Sequence, residues 1–159
     1  METVLASIKE KYEYVGKTFS IVVPEKIEQI IEEGQALKHC LDRSDRYFER
    51  IANQESYIVF LRRTKAMEQP YYTLEIEPDG TTRQKRTVGD NQNNDYHRAE
   101  KFLKKWQAAI RPRLSQEDFE RQEISRQLRM YELESLRNDK VTVHGGIHAG
   151  ELLADILEA

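Results

Sequence analysis

The stretch from Ser56 to Val88 constrains the fold more than any other part of the sequence. Ser56 to Arg63 (SYIVFLRR) is rich in β-branched and aromatic residues and is apolar on both faces, which predicts a central strand. Tyr71 to Glu77 (YYTLEIE) alternates between apolar and polar residues, as a strand with one buried face does. Pro78-Asp79-Gly80 is a strong turn signal, and the segment from Thr81 to Val88 then returns as a third strand. We therefore expect an antiparallel sheet that contains this hairpin.

The hairpin turn decides which side chains meet on the polar face of this sheet. Leu74 and Ile76 point to one face, so Thr73 and Glu75 point to the other. A two-residue turn at Asp79-Gly80 gives the following polar pairs: Glu75 with Gln84, and Thr73 with Arg86. A three-residue turn would give different pairs: Glu75 with Arg83, and Thr73 with Lys85. We adopt the two-residue turn as the expectation because it is the commonest tight connection.

Helical patterns flank these strands on both sides. The elements expected before them are a strand over 18–23, a helix after Pro24 that ends at Gly34, a helical turn over 35–41 and a helix over 44–53. The elements expected after them are helices over 95–110 and 115–138, a short strand over 141–144 and a short amphipathic helix from Glu151. The predicted fold class is α+β: a small antiparallel sheet of about three to four strands packed against flanking helices, with a C-terminal long helix and a short terminal helix.

Charge is unevenly distributed along the chain. The sequence carries 25 basic and 28 acidic side chains, a net charge of −3, which argues against a uniformly basic nucleic-acid-binding protein. Residues 81–113 carry 9 basic and 3 acidic side chains, whereas residues 114–159 carry 5 and 10. The basic block predicts an anion-binding surface, and its candidate phosphate contacts are Lys101, Lys104, Lys105, Arg111 and Arg113. The alternative is a solvated helix and hairpin whose lysines pair with the acidic C-terminal segment.

This change of sign also suggests how the chain is organised. We expect an α+β core over residues 1–113 and an acidic helical extension over residues 114–159, which packs on the core or docks from it.

Several classes of protein are excluded by what the sequence lacks. A single cysteine, Cys40, excludes an internal disulfide and a cysteine-rich zinc site. No apolar run approaches the roughly 20 residues of a membrane span, and the N-terminus lacks a signal-peptide pattern, so we expect a cytoplasmic chain without a membrane partner. No Walker loop or other nucleotide-binding or metalloprotease motif is present. The segment HGGIH at 144–148 is expected to form a glycine turn rather than a metal site, so no metal or cofactor is predicted.

The polar face of the sheet is the candidate place for chemistry. Glu75 is a candidate general base if it is partly buried, and Arg86 has the planar fork that binds a phosphate or a carboxylate. Arg62 ends the central strand and can join the same cluster, while His39 is a candidate acid or base at a helix end. The other expected members of the cluster are Thr73 and Gln84. The alternative is an exposed sheet face that carries cross-strand salt bridges.

Several short motifs follow one another in a distinctive order. They are EEGQALKHC at 32–40, YFERI at 47–51, YIVFLRR at 57–63, PYYTLEIE at 70–77, Gln84-Lys85-Arg86, and an asparagine-rich loop at 91–94. In this order they resemble the PcfJ-like domain, which is found in proteins of conjugative plasmids, integrative elements and phages. The C-terminal HGGIHAGELLADILEA is similar to the usual ending of this family, so the resemblance extends from about residue 14 to residue 159.

The resemblance implies an association with DNA transfer and mobile-element maintenance, without a settled biochemical activity. Carried over position by position, its polar motif residues are His39, Cys40, Arg50, Arg62, Glu75, Gln84, Arg86 and Asn91. We therefore expect a nucleic-acid-associated accessory protein of a mobile genetic element that binds the phosphate backbone of DNA or RNA through residues 81–113. A mobile-element protein complex is a further expected partner.

Two other functions remain open from the sequence. One is a metal-independent nuclease or transferase in which His39 and Glu75 divide the acid and base roles, while Arg62 and Arg86 stabilise negative charge. The other is a protein-interaction module that docks a basic partner on the acidic helix over 115–139.

Overall fold

The predicted sheet is present, and it has more strands than the expected three to four. The computed structural model describes residues 2–37, 45–86, 96–146 and 148–158. Five antiparallel strands lie side by side in chain order: β1 (Tyr14–Val15), β2 (Phe19–Val22), β3 (Tyr57–Arg63), β4 (Tyr72–Ile76) and β5 (Thr82–Arg86). The additional strand is β1, whose two residues pair with β2. Two residues are too few for an alternating pattern to be recognised in the sequence.

Six helices flank the sheet in the described part of the chain and complete the predicted α+β fold. They are α1 (Glu2–Tyr12), α2 (Ile27–Leu37), α3 (Asp45–Ala52), α4 (Tyr96–Ile110), α5 (Gln116–Asn138) and α6 (Leu153–Glu158). The long C-terminal helix and the short terminal helix of the prediction are both confirmed.

One helix lies where the sequence interpretation assigns no element. α1 buries Leu5, Ile8 and Tyr12, which are spaced three and four residues apart on one helix face. Tyr12 fixes the end of this helix, because its hydroxyl donates a 2.6 Å hydrogen bond to the carbonyl oxygen of Pro78 in the hairpin loop. A helix this short is marginal by itself, so α1 depends on packing against the rest of the chain.

Another helix continues through the glycine that was expected to end it. α2 passes through Gly34 and ends at Leu37. Glycine weakens a helix interior by about 1 kcal/mol relative to alanine. Here Gly34 is buried, and the preceding Glu33 forms a buried ion pair with Arg62 of β3. These tertiary contacts outweigh the local penalty, so the expected end of the helix is wrong.

The two faces of the sheet are covered by different helices. On one face, the ring centroid of Tyr12 lies 5.5 Å from that of Tyr57, and Phe102 lies 5.7 Å from Phe19. Trp106 of α4 is fully buried there, and its Nε1 donates a 2.9 Å hydrogen bond to the carbonyl oxygen of Tyr12. α2, α3 and α5 contact strand side chains of the other face. The sheet is therefore the middle of three layers.

The β4–β5 hairpin keeps the expected pairing although its turn is longer than expected. The amide of Glu77 donates to the carbonyl oxygen of Thr81 at 2.8 Å, which makes a three-residue loop, and Gly80 has a φ of +92°. A bulge between Glu75 and Ile76 then shifts the register by one residue. The pairs beyond the bulge are Glu75 with Gln84, and Thr73 with Arg86. These two pairs are confirmed, and the two-residue turn is wrong.

The C-terminal segment begins with the expected helix cap. The hydroxyl of Ser115 accepts from the amide of Asp118 at 3.2 Å, and the Asp118 carboxylate accepts from the amide of Ser115 at 2.8 Å. After α5, the strand expected over 141–144 is reduced to a single bridge between Thr142 and Leu152. No helix in the described ranges has both the length and the apolarity that crossing a membrane requires.

Candidate functional site

A groove between the β1–β2 turn and α4 gathers basic and aromatic side chains. We call it the basic groove, and its volume is about 400 Å³. Its described lining comprises four cationic side chains, three aromatic rings and two small residues: Lys17, Arg98, Lys101, Lys105, Tyr14, Phe19, Phe102, Gly16 and Thr18. No aspartate or glutamate is among these lining residues. The groove therefore favours an anion on electrostatic grounds.

The helical spacing of α4 explains one wall of the basic groove. Arg98, Lys101, Phe102 and Lys105 recur at intervals of three and four residues, so they share one face of the helix. The adjoining face carries the residues that α4 buries in the core: Ala99, Leu103, Trp106 and Ile110. Burial of that apolar face fixes the rotation of α4, and this rotation directs the basic face toward the β1–β2 turn.

The β1–β2 turn forms the other wall and depends on a glycine. The amide of Gly16 donates to the carbonyl oxygen of Phe19 at 2.9 Å, and the hydroxyl of Thr64 donates to the carbonyl oxygen of Gly16 at 2.8 Å. A Cβ atom on Gly16 would lie 2.5 Å from that Phe19 oxygen and 3.0 Å from a ring carbon of Phe102. Only glycine fits this close approach, which brings Lys17 to the mouth of the groove.

The cations of the basic groove contrast with the ion-paired arginines Arg50, Arg62 and Arg83. Lys17, Arg98, Lys101 and Lys105 make no salt bridge within the described ranges. All four side chains are exposed. Their charges are therefore available to an external anion.

Two of the predicted phosphate contacts lie in the basic groove and three lie outside it. Lys101 and Lys105 line the groove, whereas Lys104 is exposed on the same helix but is not among the lining residues. The guanidinium of Arg111 lies 5.0 Å from the ring centroid of Phe119 in a cation–π contact. Arg113 donates a 2.7 Å hydrogen bond to a main-chain carbonyl oxygen at the end of α1.

Sequence reasoning missed Lys17 and Arg98. The spacing of Arg98 with Lys101 and Lys105 was a usable signal, because three cations at i, i+3 and i+7 share a helix face. Lys17 gave no such signal, since it reaches the groove from a distant turn. Its position depends on how β1, β2 and α4 pack.

The polar face of the sheet holds a second group of charged residues, which is buried. One oxygen of Glu75 accepts from Arg50 at 2.9 Å and from the hydroxyl of Ser56 at 2.6 Å. Arg50 also donates to Glu132 of α5 at 3.3 Å. Burial alone would lower the pKa of Arg50, but the carboxylates of Glu75 and Glu132 raise it overall. Glu75 itself is only 2% exposed, so it is held in an ion-pair network rather than presented to solvent.

The hairpin bulge supplies Arg83 to this network, a residue that the sequence placed beside Glu75 only in the alternative three-residue turn. Arg83 is the extra residue of β5 and donates to Glu77 at 2.8 Å and to Glu55 at 2.9 Å. It also donates to the main-chain oxygen and the hydroxyl of Ser125 in α5, at 2.9 and 2.8 Å. Arg129 of α5 lies close by, and burial followed by the repulsion from Arg83 lowers its pKa. α5 thus covers the polar face and turns it into an internal layer.

Arg62 belongs to a separate ion pair. Its two terminal nitrogens donate to the two carboxylate oxygens of Glu33 at 2.5 and 2.7 Å, and its Nε donates to the carbonyl oxygen of Met67 at 3.1 Å. The pair lines a cleft of about 570 Å³ whose other ionic lining includes three carboxylates: Glu25, Glu32 and Glu68. In this structure Arg62 therefore contacts Glu33 and not Glu75.

The remaining predicted residues divide between buried positions and positions outside the described residues. Thr73 and Gln84 are buried on the same face as Glu75. The backbone of Arg86 pairs with Thr73, which is all that the structure describes of this residue. The predictions on His39, Cys40 and Asn91 fall outside the described residues, so the meeting of His39 with Glu75 stays a prediction.

The described residues include no group of three or more histidine, cysteine, aspartate or glutamate side chains that could hold a metal ion. In the C-terminal turn, Nδ1 of His148 lies 2.5 Å from a carboxylate oxygen of Glu151. These two exposed residues are three positions apart, and His148 is one of the two histidines of the HGGIH segment.

Comparison with known proteins places the chain in a family. Searches of curated proteins and of solved structures find no match. A family model described as "PcfJ-like protein" matches residues 2–101, which include the sheet, α1 and the beginning of α4. The matched part contains the β1–β2 turn and the α4 residues Arg98 and Lys101, and it ends before α5. The chain belongs to the PcfJ-like protein family.

Proposed function

We propose that this chain is a nucleic-acid-associated accessory protein of a mobile genetic element, and that it binds the phosphate backbone through the basic groove. The single observation that supports this proposal is the convergence of four exposed cations, without a salt bridge in the described ranges, on one groove that lacks a described carboxylate. The mobile-element role rests on the motif resemblance described above. Binding residues then include Lys17 and Arg98 as well as the predicted Lys101 and Lys105.

Salt dependence is the property that such an interface imposes. Each lysine or arginine that neutralises a phosphate releases a counterion, so the logarithm of the affinity falls linearly with the logarithm of the salt concentration. Four contacts in one groove would give a slope of roughly 3 to 4. Contacts that neutralise no phosphate would give a slope close to zero.

The test is a binding titration with fluorescein-labelled oligonucleotides at about 50 and about 200 mM salt. The double substitution Lys101→Glu and Lys105→Glu should weaken binding and reduce the salt slope by roughly 2, about one for each cation. Lys26→Glu is the matched control, because Lys26 is an exposed lysine immediately before α2 and does not line the groove. Binding that is insensitive to salt, or equally weakened by the control, would exclude the proposal.

A second candidate function, the docking of a basic protein segment on α5, has one observation in its favour. α5 turns polar side chains toward the sheet and leaves large apolar ones in solvent: Ile124, Leu128, Met130 and Tyr131 are 59%, 45%, 57% and 73% exposed. Leu128 borders a small cleft lined by Glu49, Arg50, Glu55 and Glu132 among others. An amphipathic helix with a lysine-rich polar face would complement this mixture.

Titration calorimetry with two synthetic amphipathic helices tests that candidate. The helices share one apolar face and carry either lysine or glutamate on the polar face. The lysine-rich helix should bind, and Leu128→Glu should abolish binding. Equal binding of the two helices would reject the candidate.

No described contact favours the enzymatic alternative over these two, since Arg62 and Glu75 lie in separate ion pairs. It stays a prediction that depends on His39.

A further inference from the structure

We infer that the basic groove takes single-stranded nucleic acid, with an unstacked base against Tyr14 and Phe102 and the backbone against the surrounding cations. This inference rests on the proposed function and narrows its ligand from any nucleic acid to a single strand. It concerns the aromatic residues of the groove, which phosphate binding alone does not require.

The aromatic rings of the groove differ in how far they are buried. Phe19 is 5% exposed and belongs to the core, and it supports Phe102 with ring centroids 5.7 Å apart. Phe102 and Tyr14 are only partly buried, and their centroids lie 5.9 Å apart at an angle of 52°. Each ring therefore keeps part of its surface in the groove. Such rings provide a surface on which a base can stack, irrespective of its identity.

Gly16 holds the two rings in this arrangement. A Cβ atom at this position would lie 3.0 Å from a ring carbon of Phe102 and 3.4 Å from a ring carbon of Tyr14. The backbone of the turn at Gly16 consequently lies close to both rings. Because the turn is fixed by hydrogen bonds to Phe19 and Thr64, the rings are positioned before a ligand arrives.

The rings and the cations of the groove match the base and the phosphate of a nucleotide, respectively. Lys17 stands on one wall, and Arg98, Lys101 and Lys105 stand on the other, so phosphates on either side of a bound base would meet a cation. The hydroxyl of Tyr14 makes no hydrogen bond with another described residue and can donate to a base edge or a phosphate oxygen.

The shape of the groove favours a single strand over a duplex. Its volume of about 400 Å³ lies in the range of sites that enclose a small molecule. A duplex keeps its bases stacked inside and presents a convex surface of phosphates. It can therefore use the cations but not the rings, whereas a single strand can place a base in the concave site and use both.

The experiment compares three labelled probes of about 12 nucleotides, namely single-stranded DNA, single-stranded RNA and duplex DNA of the same sequence, by fluorescence anisotropy. The native chain should bind at least one single strand more tightly than the duplex. Phe102→Leu should weaken single-strand binding by about 5- to 150-fold and leave duplex binding nearly unchanged. The affinities for the DNA and RNA strands then show which of the two nucleic acids the groove prefers. Tighter binding of either strand than of the duplex supports the inference.

Two further variants keep the test decisive. Tyr14→Leu, on the opposite wall, should have the same effect on binding as Phe102→Leu. It replaces Phe102→Leu in the comparison if that variant lowers the melting temperature. Tyr131→Leu is the aromatic control, since Tyr131 is 73% exposed on α5 and lies outside the groove. It should leave all three affinities unchanged.

The outcomes distinguish this inference from the proposal on which it rests. If Lys101→Glu with Lys105→Glu weakens every probe while Phe102→Leu and Tyr14→Leu weaken none, phosphate binding stands and the single-strand inference is overturned. Duplex binding as tight as single-strand binding overturns it as well. If no probe binds the native chain, both the proposed function and the inference fail.

Discussion

Arg62 and Glu33 form an ion pair that is almost entirely removed from water, with side chains only 8% and 4% exposed. Taking two charges out of water is costly, and the two parallel hydrogen bonds of this pair offset that cost. The ring of Phe60 lies 4.8 Å beneath the guanidinium and contributes a cation–π contact. Removing one partner would leave the other charge buried without compensation.

We expect Glu33→Gln to lower the free energy of unfolding by roughly 3–5 kcal/mol, because an unpaired guanidinium then stays buried. The double substitution Glu33→Leu with Arg62→Met should cost much less, since it removes both charges and retains the volume. Urea denaturation of the two variants and the native chain measures these differences. A double variant as unstable as the single one would mean that the pair itself, rather than an orphaned charge, supplies the stability.

The pKa of Asp118 gives a prediction on pH. Burial by itself would raise this pKa, but hydrogen bonds from Lys11 and from the backbone and hydroxyl of Ser115 bring it below the ordinary value of 3.8. A lowered pKa in the folded state stabilises the fold above the unfolded-state pKa, and this contribution disappears as the pH falls through the folded-state pKa. The difference in unfolding free energy between the native chain and Asp118→Asn should therefore be constant near neutral pH and shrink below about pH 4. A difference independent of pH in acid denaturation series would contradict this assignment.

Sequence reasoning reached part of the charged network and missed its partners. Alternation placed Glu75, Thr73 and Gln84 on one face, because side-chain direction along a strand follows from its period alone. Arg50 of α3 and Glu33 of α2 come from helices, and no local pattern says over which strand residue a helix will lie. The charges were visible in the sequence, but their pairing was decided by packing.

At the scale of elements, the hairpin shows two irregularities that compensate each other. The third loop residue shifts the pairing by one, and the bulge at Arg83 shifts it back. Gly80 supports the loop with a φ of +92°, a conformation that other residues adopt only with strain. The sequence signal Pro-Asp-Gly predicted a turn here, but it did not distinguish a two-residue loop from a three-residue loop followed by a bulge.

Gly80→Ala should destabilise the protein by roughly 1–3 kcal/mol, the usual cost of placing a residue with a side chain at a positive φ. Its Cβ atom would also approach Ile110 of α4 to 3.0 Å. Gly145→Ala is the matched control, because a Cβ atom there meets nothing within 4 Å and Gly145 does not have a positive φ. Thermal denaturation should show a lowered melting temperature for the first variant only, and equal effects would contradict the role given to Gly80.

At the scale of the whole molecule, α5 joins the regions that the sequence interpretation divided at residue 113. Its residues bond to the hairpin through Gln122 and Ser125, to α3 through Glu132 and to α1 through Asp118. These contacts are polar, so the helix covers the sheet without contributing a large apolar face. α5 is nevertheless required to shield Arg83 and the carboxylates beneath it from water.

We expect the chain to unfold in one cooperative transition, because separation of α5 would expose this buried network. Trp106, the only tryptophan, reports on the core between α4 and the sheet, while far-ultraviolet circular dichroism reports mainly on the helices. The two signals should give the same midpoint in urea. Loss of helical signal before the tryptophan signal would indicate that α5 separates first.

The basic groove illustrates what could not be predicted at this scale. The basic block over 81–113 pointed to an anion-binding surface, and Lys101 and Lys105 lie in the groove. Two of its three aromatic rings, Tyr14 and Phe19, and its opposite wall come from β1, β2 and the turn between them. This region is remote in sequence from α4 and follows a helix that the sequence interpretation did not assign. Charge density is local information, whereas the shape of a groove between two elements is not.

The shortness of β1 has a consequence for how the protein behaves at high concentration. A long, flat outer strand offers unpaired N–H and C=O groups to the strand of another molecule and can start fibrous aggregation. β1 contributes two residues at one border of the sheet, and α6 contacts β5 at the other. Although Val15 is largely exposed, a two-residue edge strand offers few backbone groups with which a strand of another molecule could pair. We therefore expect concentrated samples to resist polymerisation through their sheets.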